Sequence, residues 1–158
     1  MSDTAWQDWL TRETDARLEA GAVADFGDPA AERAAVAAGE AVRADLGHRV
    51  LVRATDGDVI PFLQGQTTND VAAAETGTPV WGAHLTPKGR MVAALLTFPL
   101  DEGYGLDLAA EGADYALRRL GMYVLNSDVH LERCGAERVR LGVAGADAAA
   151  RAAAAVGA

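Results

Sequence analysis

A strand–turn–helix pattern that occurs twice, about ninety residues apart, constrains this chain more than any other feature. Arg49-Val50-Leu51-Val52-Arg53-Ala54 has the β-branched, apolar character of a strand. It is followed by the turn residues Thr55-Asp56-Gly57 and a short helix over Val59–Gln64, for which Asp58 is the cap and Gly65 the stop. The pattern begins again at Arg138-Val139-Arg140-Leu141-Gly142-Val143-Ala144, passes through Gly145-Ala146-Asp147 and runs into an Ala-rich helix to the chain end. Two such units predict a duplicated α+β fold with a mixed or antiparallel sheet, its second copy truncated after one helix. The second strand then has no visible partner, and an unpaired strand exposes hydrogen-bonding groups that a folded protein covers. On this reading the chain is the front portion of something longer.

The segments between these landmarks are read the same way. Thr4-Ala5-Trp6-Gln7 offers a capping box for a first helix with Trp6, Trp9 and Leu10 on one face. Asp28 with Pro29 and Glu32 starts a second. Its narrow face is Ala31, Ala35, Ala38, Val42 and Leu46, with Gly47 as the stop. Thr78–Thr86 and Arg90–Pro99 predict two strands joined by Pro87-Lys88-Gly89, whose Pro and Gly suit a type I turn with a bulge. A strand over Tyr104–Leu108 and a helix over Asp114–Met122 follow, with Ala116, Leu117 and Leu120 inward, and then a strand around Val129 and Leu131. The expected organisation is a helical segment at 1–47, a first subdomain at 48–134 and the start of a second at 135–158.

Bulk chemistry excludes several function classes. The net charge is −9, and residues 1–46 carry ten acids against four arginines. That balance argues against direct nucleic-acid binding, which scales with the number of phosphates neutralised. No apolar run reaches the length of a membrane span, the first twenty residues have no secretory h-region, and Cys134 is the sole cysteine. The expectation is a cytoplasmic protein with no membrane partner. His48, His84 and His130 show no ligand spacing, so no metal is expected, and no residue is nominated as a nucleophile or general base.

Two stretches carry candidate chemistry. Phe62-Leu63-Gln64-Gly65-Gln66-Thr67-Thr68-Asn69-Asp70-Val71 reads either as a helix end with a polar loop or as a pocket wall that hydrogen-bonds a heterocycle. His84-Leu85-Thr86-Pro87-Lys88-Gly89-Arg90-Met91 reads either as a solvated hairpin turn or as a positive point aimed at an anion. Thirteen of the fourteen bases are arginine, and Lys88 is the only lysine.

In order and spacing, Leu63–Val71 and Leu85–Met91 resemble the YgfZ-type folate-binding proteins. These are tRNA-modification and iron–sulfur-cluster maintenance factors related to the aminomethyltransferase of the glycine cleavage system. Glu32 with Ala35, Leu46 before the Arg49 strand, Leu120–Val124 with Ser127-Asp128-Val129, and Arg138–Gly145 extend the likeness over most of residues 24–147. The resemblance implies an aminomethyltransferase folate-binding-domain-like fold around a central channel that holds tetrahydrofolate. It implies that Gln64, Gln66, Asp70, Lys88, Gly89 and Arg90 lie at or near that ligand, the lone lysine facing the anionic glutamate tail. Iron–sulfur or tRNA-modifying enzymes are the implied protein partners. The transferases carry paired aspartates shortly after the turn glycine, whereas Val92 and Ala93 stand at the matching positions here. Loss of that proton-handling carboxylate removes the transferase reaction. The family's Lys-Gly-Cys segment lies beyond the end of this chain, Cys134 does not match it, and a folate-associated tryptophan is replaced near Arg49. Two alternatives stay open: a one-carbon transferase whose acid has moved to Asp101 or Asp107, and an interaction module that keeps the fold without the ligand.

Overall fold

The computed structural model describes residues 3–135 and 138–156. The element order is α1 (Asp3–Glu13), β1 (Arg17–Glu19), β2 (Ala22–Asp25), α2 (Pro29–Ala37), β3 (Val42–Asp45), β4 (Arg49–Thr55), α3 (Val59–Gln66), a 3-10 helix (Val71–Thr76), β5 (Val80–Leu85), β6 (Met91–Pro99), β7 (Tyr104–Ala109), α4 (Ala113–Gly121), β8 (His130–Arg133), β9 (Leu141–Ala144) and α5 (Ala148–Val156). The chain forms two compact units, one of residues 1–47 with 135–158 and the other of residues 48–134.

The 48–134 unit is an antiparallel sheet in the order β5-β6-β7-β4-β8. Alternation along the strands sends Val50, Val52 and Ala54 of β4, Leu106 and Leu108 of β7 and Leu95 of β6 to one face. Phe62 and Leu63 of α3, Val71 of the 3-10 helix and Ala113, Ala116 and Leu120 of α4 close over them. Burying this many aliphatic side chains supplies the main folding force, at about 25 cal/mol per Å². Leu117 packs at the margin of the core, in keeping with the expected inward face of α4. The turn between β5 and β6 has the expected geometry. Gly89 N donates to Thr86 O over 2.8 Å, Thr86 N donates to Arg90 O over 2.8 Å, and Gly89 takes a left-handed φ of +73°. The turn after β4 places Asp56 at φ +83°. Asp58 does not cap α3 with its side chain; its Oδ2 accepts from Asp128 N over 2.8 Å, tying the start of α3 to the segment before β8. Gly65 does not stop the helix, which continues through it to Gln66 because Thr67 N still finds Leu63 O at 2.9 Å.

The other unit departs further from the sequence expectation. Thr4 lies inside α1 and is not its cap. Leu10 is buried, Trp6 and Trp9 stack with centroids 5.0 Å apart, and Trp6 Nε1 donates to Asp45 Oδ1 over 3.0 Å. A small hairpin, β1–β2, occupies residues the sequence left unassigned, and Arg17 grips Asp25 across it. The Asp28 cap is as expected, its Oδ1 accepting from Ala30 N and Ala31 N. The helix it starts stops at Ala37, well before Leu46, and buries no residue. Gly39, at φ +73°, turns the chain, and Val42–Asp45 becomes a strand. That strand pairs antiparallel with β9, Val42 opposite Ala144 and Asp45 opposite Leu141. The strand expected to lack a partner therefore has one within this chain. The Ala-rich helix is present as α5, and the last two residues assigned to it fall outside the described residues.

Candidate functional site

The two motifs flank one strand. Gln66 ends α3, and the segment after it lies along the free edge of β5. Thr67 forms a β-bridge with His84, Thr68 N donates to Ala83 O over 3.0 Å, and Ala83 N donates to Thr68 Oγ1 over 3.1 Å. This covers an edge that otherwise exposes unpaired backbone groups. It also brings the Gln66–Asp70 loop against the strand that runs directly into the Pro87–Gly89 turn.

Within that arrangement the six expected residues play different parts. Gln64 Oε1 accepts from Val71 N over 2.8 Å, so its carbonyl holds the entry to the 3-10 helix. Asp70 stands at the cap position of that helix but makes no side-chain cap bond, and its carboxylate is exposed. Gln66 is half-buried and its main-chain oxygen lies 2.8 Å from His84 Nδ1. Lys88, Gly89 and Arg90 are exposed at the hairpin tip. Among the described residues no hydrogen bond or salt bridge is recorded from the Lys88 or Arg90 side chains to Gln66 or Asp70. Val92 and Ala93, where the transferases have aspartates, lie on β6 and pack at the core margin, with Ala93 directly opposite His84.

Three further residues belong to this region: His84 and Asn69, which lie inside the two candidate stretches without being singled out there as ligand contacts, and Trp81, which lies outside both. His84 is only 2 % exposed. Asn69 lies against Gly82, where a Cβ would fall 1.9 Å from Asn69 Oδ1. Trp81, 61 % exposed, presents its ring to the Arg49 guanidinium at 5.7 Å. Trp81 and Asp107 both lie opposite Leu96 and so share one row across the sheet. Arg49 Nε donates to Asp107 Oδ2 over 2.6 Å, and its NH2 group donates to the Asp107 main-chain oxygen over 3.2 Å. Arg49 thus joins an exposed aromatic ring to a largely buried carboxylate, a combination of flat apolar surface and fixed charge that suits an aromatic, polar-edged ligand. The signal in the sequence is an arginine at the start of β4 and an aspartate within the mostly apolar β7, but their pairing depends on the β4–β7 register.

The fold has a counterpart among solved structures. It matches the glycine cleavage system aminomethyltransferase T from Bartonella henselae with a TM-score of 0.74 over 96% of this chain and 42% of that one, at 19% identity. In sequence the chain is similar to the tRNA-modifying protein YgfZ. It is 33% identical to that of Vibrio vulnificus over 98 residues, 62% of this chain and 30% of the relative. It is 36% identical to that of Yersinia enterocolitica over 98 residues, 62% of this chain and 29% of the relative. The chain therefore spans about 30% of the length of these curated relatives. No family model matches it. Among the described residues no helix is long and apolar enough to cross a membrane.

Proposed function

We propose that this chain is part of a tetrahydrofolate-binding accessory protein of iron–sulfur-dependent tRNA modification, without aminomethyltransferase activity. The observation that carries the reading is the docking of the Gln66–Asn69 segment on β5, which gathers both family-like motifs around one strand. In this proposal Gln66 and Asp70 contact the folate, Gln64 holds the loop that presents them, and the Lys88-Gly89-Arg90 tip attracts the anionic tail by charge. Apolar Val92 and Ala93 leave no carboxylate on that part of β6 to move a proton. Asp107, the alternative acid, already accepts from Arg49 over 2.6 Å. The implied partners are iron–sulfur or tRNA-modifying enzymes, and the implied compartment is the cytoplasm.

Isothermal titration with tetrahydrofolate under anaerobic conditions tests the ligand. Saturable binding that weakens severalfold in Lys88→Ala and Asp70→Asn is the expected result. A flat titration for the unmodified chain overturns the reading. Formation of methylene-tetrahydrofolate from an aminomethyl donor overturns the exclusion of catalysis.

A further inference from the structure

Among the described residues, the His84 ring makes one hydrogen bond. A carbonyl oxygen only accepts, so the 2.8 Å contact with Gln66 O places the proton on His84 Nδ1 and leaves Nε2 with a lone pair. That Nε2 is buried and, among the described residues, has no hydrogen-bond partner. Both polar atoms of the Asn69 carboxamide are likewise buried without a partner. A buried polar atom left unpaired is costly, so an apolar side chain at either position would be the more stable choice if packing were the only requirement. Both groups act on the same four-residue segment. His84 holds the main chain at Gln66, and Asn69 lies flat on Gly82, the one residue type that leaves room for it. The Tyr123 ring meets the imidazole edge-on, with centroids 6.4 Å apart.

We propose that His84, with Asn69 seated on Gly82, is a positioning residue. It fixes the backbone from Gln66 to Asp70, so that the Gln66 side chain and the Asp70 carboxylate are set before ligand arrives. The role runs through Nδ1 and the Gln66 carbonyl, and it rests on the folate reading for its ligand. A preset loop loses less conformational freedom on binding, and that saving appears directly in affinity.

Two substitutions separate the ring nitrogens. His84→Asn keeps an amide donor near the Nδ1 position, whereas His84→Gln carries its amide out to the Nε2 position. Two measurements are made on each: tetrahydrofolate affinity by calorimetry, and hydrogen exchange at the Thr68 amide, which bonds Ala83 O and reports the docked loop without ligand. The expected result is about tenfold weaker binding and faster Thr68 exchange in His84→Gln, with His84→Asn near the unmodified chain on both, as suits loss of one hydrogen bond. Equal behaviour of the two variants, in either direction, overturns the proposal. If the unmodified chain binds no folate, the folate reading fails, and the Thr68 exchange contrast still decides whether His84 fixes the loop. Should the histidine variants not fold, Gly82→Ala displaces Asn69 from above β5. Unchanged Thr68 exchange in that variant overturns the proposal, and accelerated exchange supports it.

Discussion

At the scale of single residues, the clearest electrostatic commitment is Asp25. It is almost fully buried, accepts from the Arg17 guanidinium at 2.8 and 3.0 Å, and accepts from Gly27 N at 3.0 Å. The Arg17 bond first, and the Gly27 bond second, hold its pKa down to about 2 from 3.8. A carboxyl with a folded pKa below its unfolded one stabilises the fold above the unfolded value, and that contribution is lost as pH falls through the folded one. Thermal unfolding followed through the Trp6–Trp9 stack should therefore lose stability between pH 3.8 and about 2, and Asp25→Asn should flatten that part of the profile. None of this was visible along the chain, because Arg17 and Asp25 meet only once β1 and β2 pair. The candidate site shows the same division. Gln66, Asp70 and Lys88 stand out in sequence by type and density, whereas His84 matters through its buried bond to the Gln66 main chain and Asn69 through its seat on Gly82. A sequence does not display burial.

Among the elements, α2 separates local from non-local control. Its start is written in Asp28-Pro29, and the structure keeps it. Its end is not written locally: Ala38, Val42 and Leu46 continue a helical spacing, but Gly39 and the pairing of Val42–Asp45 with β9 override it. Spacing ranks candidate faces, but a strand partner a hundred residues away offers hydrogen bonds that periodicity does not anticipate. Because α2 buries no residue, little besides its cap and the neighbouring chain holds it. Asp28→Ala is expected to lower the stability of that unit by about 1 kcal/mol, measured by urea denaturation with far-ultraviolet circular dichroism. The β5–β6 hairpin is the opposite case. Pro87 and Gly89 set the turn by their own backbone preferences, so sequence and structure agree there.

For the molecule as a whole, β3 and β9 join the two ends of the chain into one unit. Gly145 follows directly after β9 at φ +95°, with space for a Cβ closed by Glu40 O at 1.9 Å. Gly145→Ala should accelerate hydrogen exchange most in Val42–Asp45 and Leu141–Ala144. Equal acceleration in β4 and β7 would show that the strands of the 48–134 sheet depend on the same pairing. The sequence by itself determined the strand–turn–helix beginning at Arg49, the Pro87–Gly89 hairpin, the Asp28 start and the apolar residues at 92 and 93, because each is set by residues within a turn or two of one another. Tertiary structure decided where α2 ends, which strand β9 joins, that Arg49 reaches both Asp107 and Trp81, and that the Gln66–Asn69 segment lies along β5. Each of those is a contact between distant segments, and its energy comes from burial and hydrogen bonds that exist only after the chain has closed on itself.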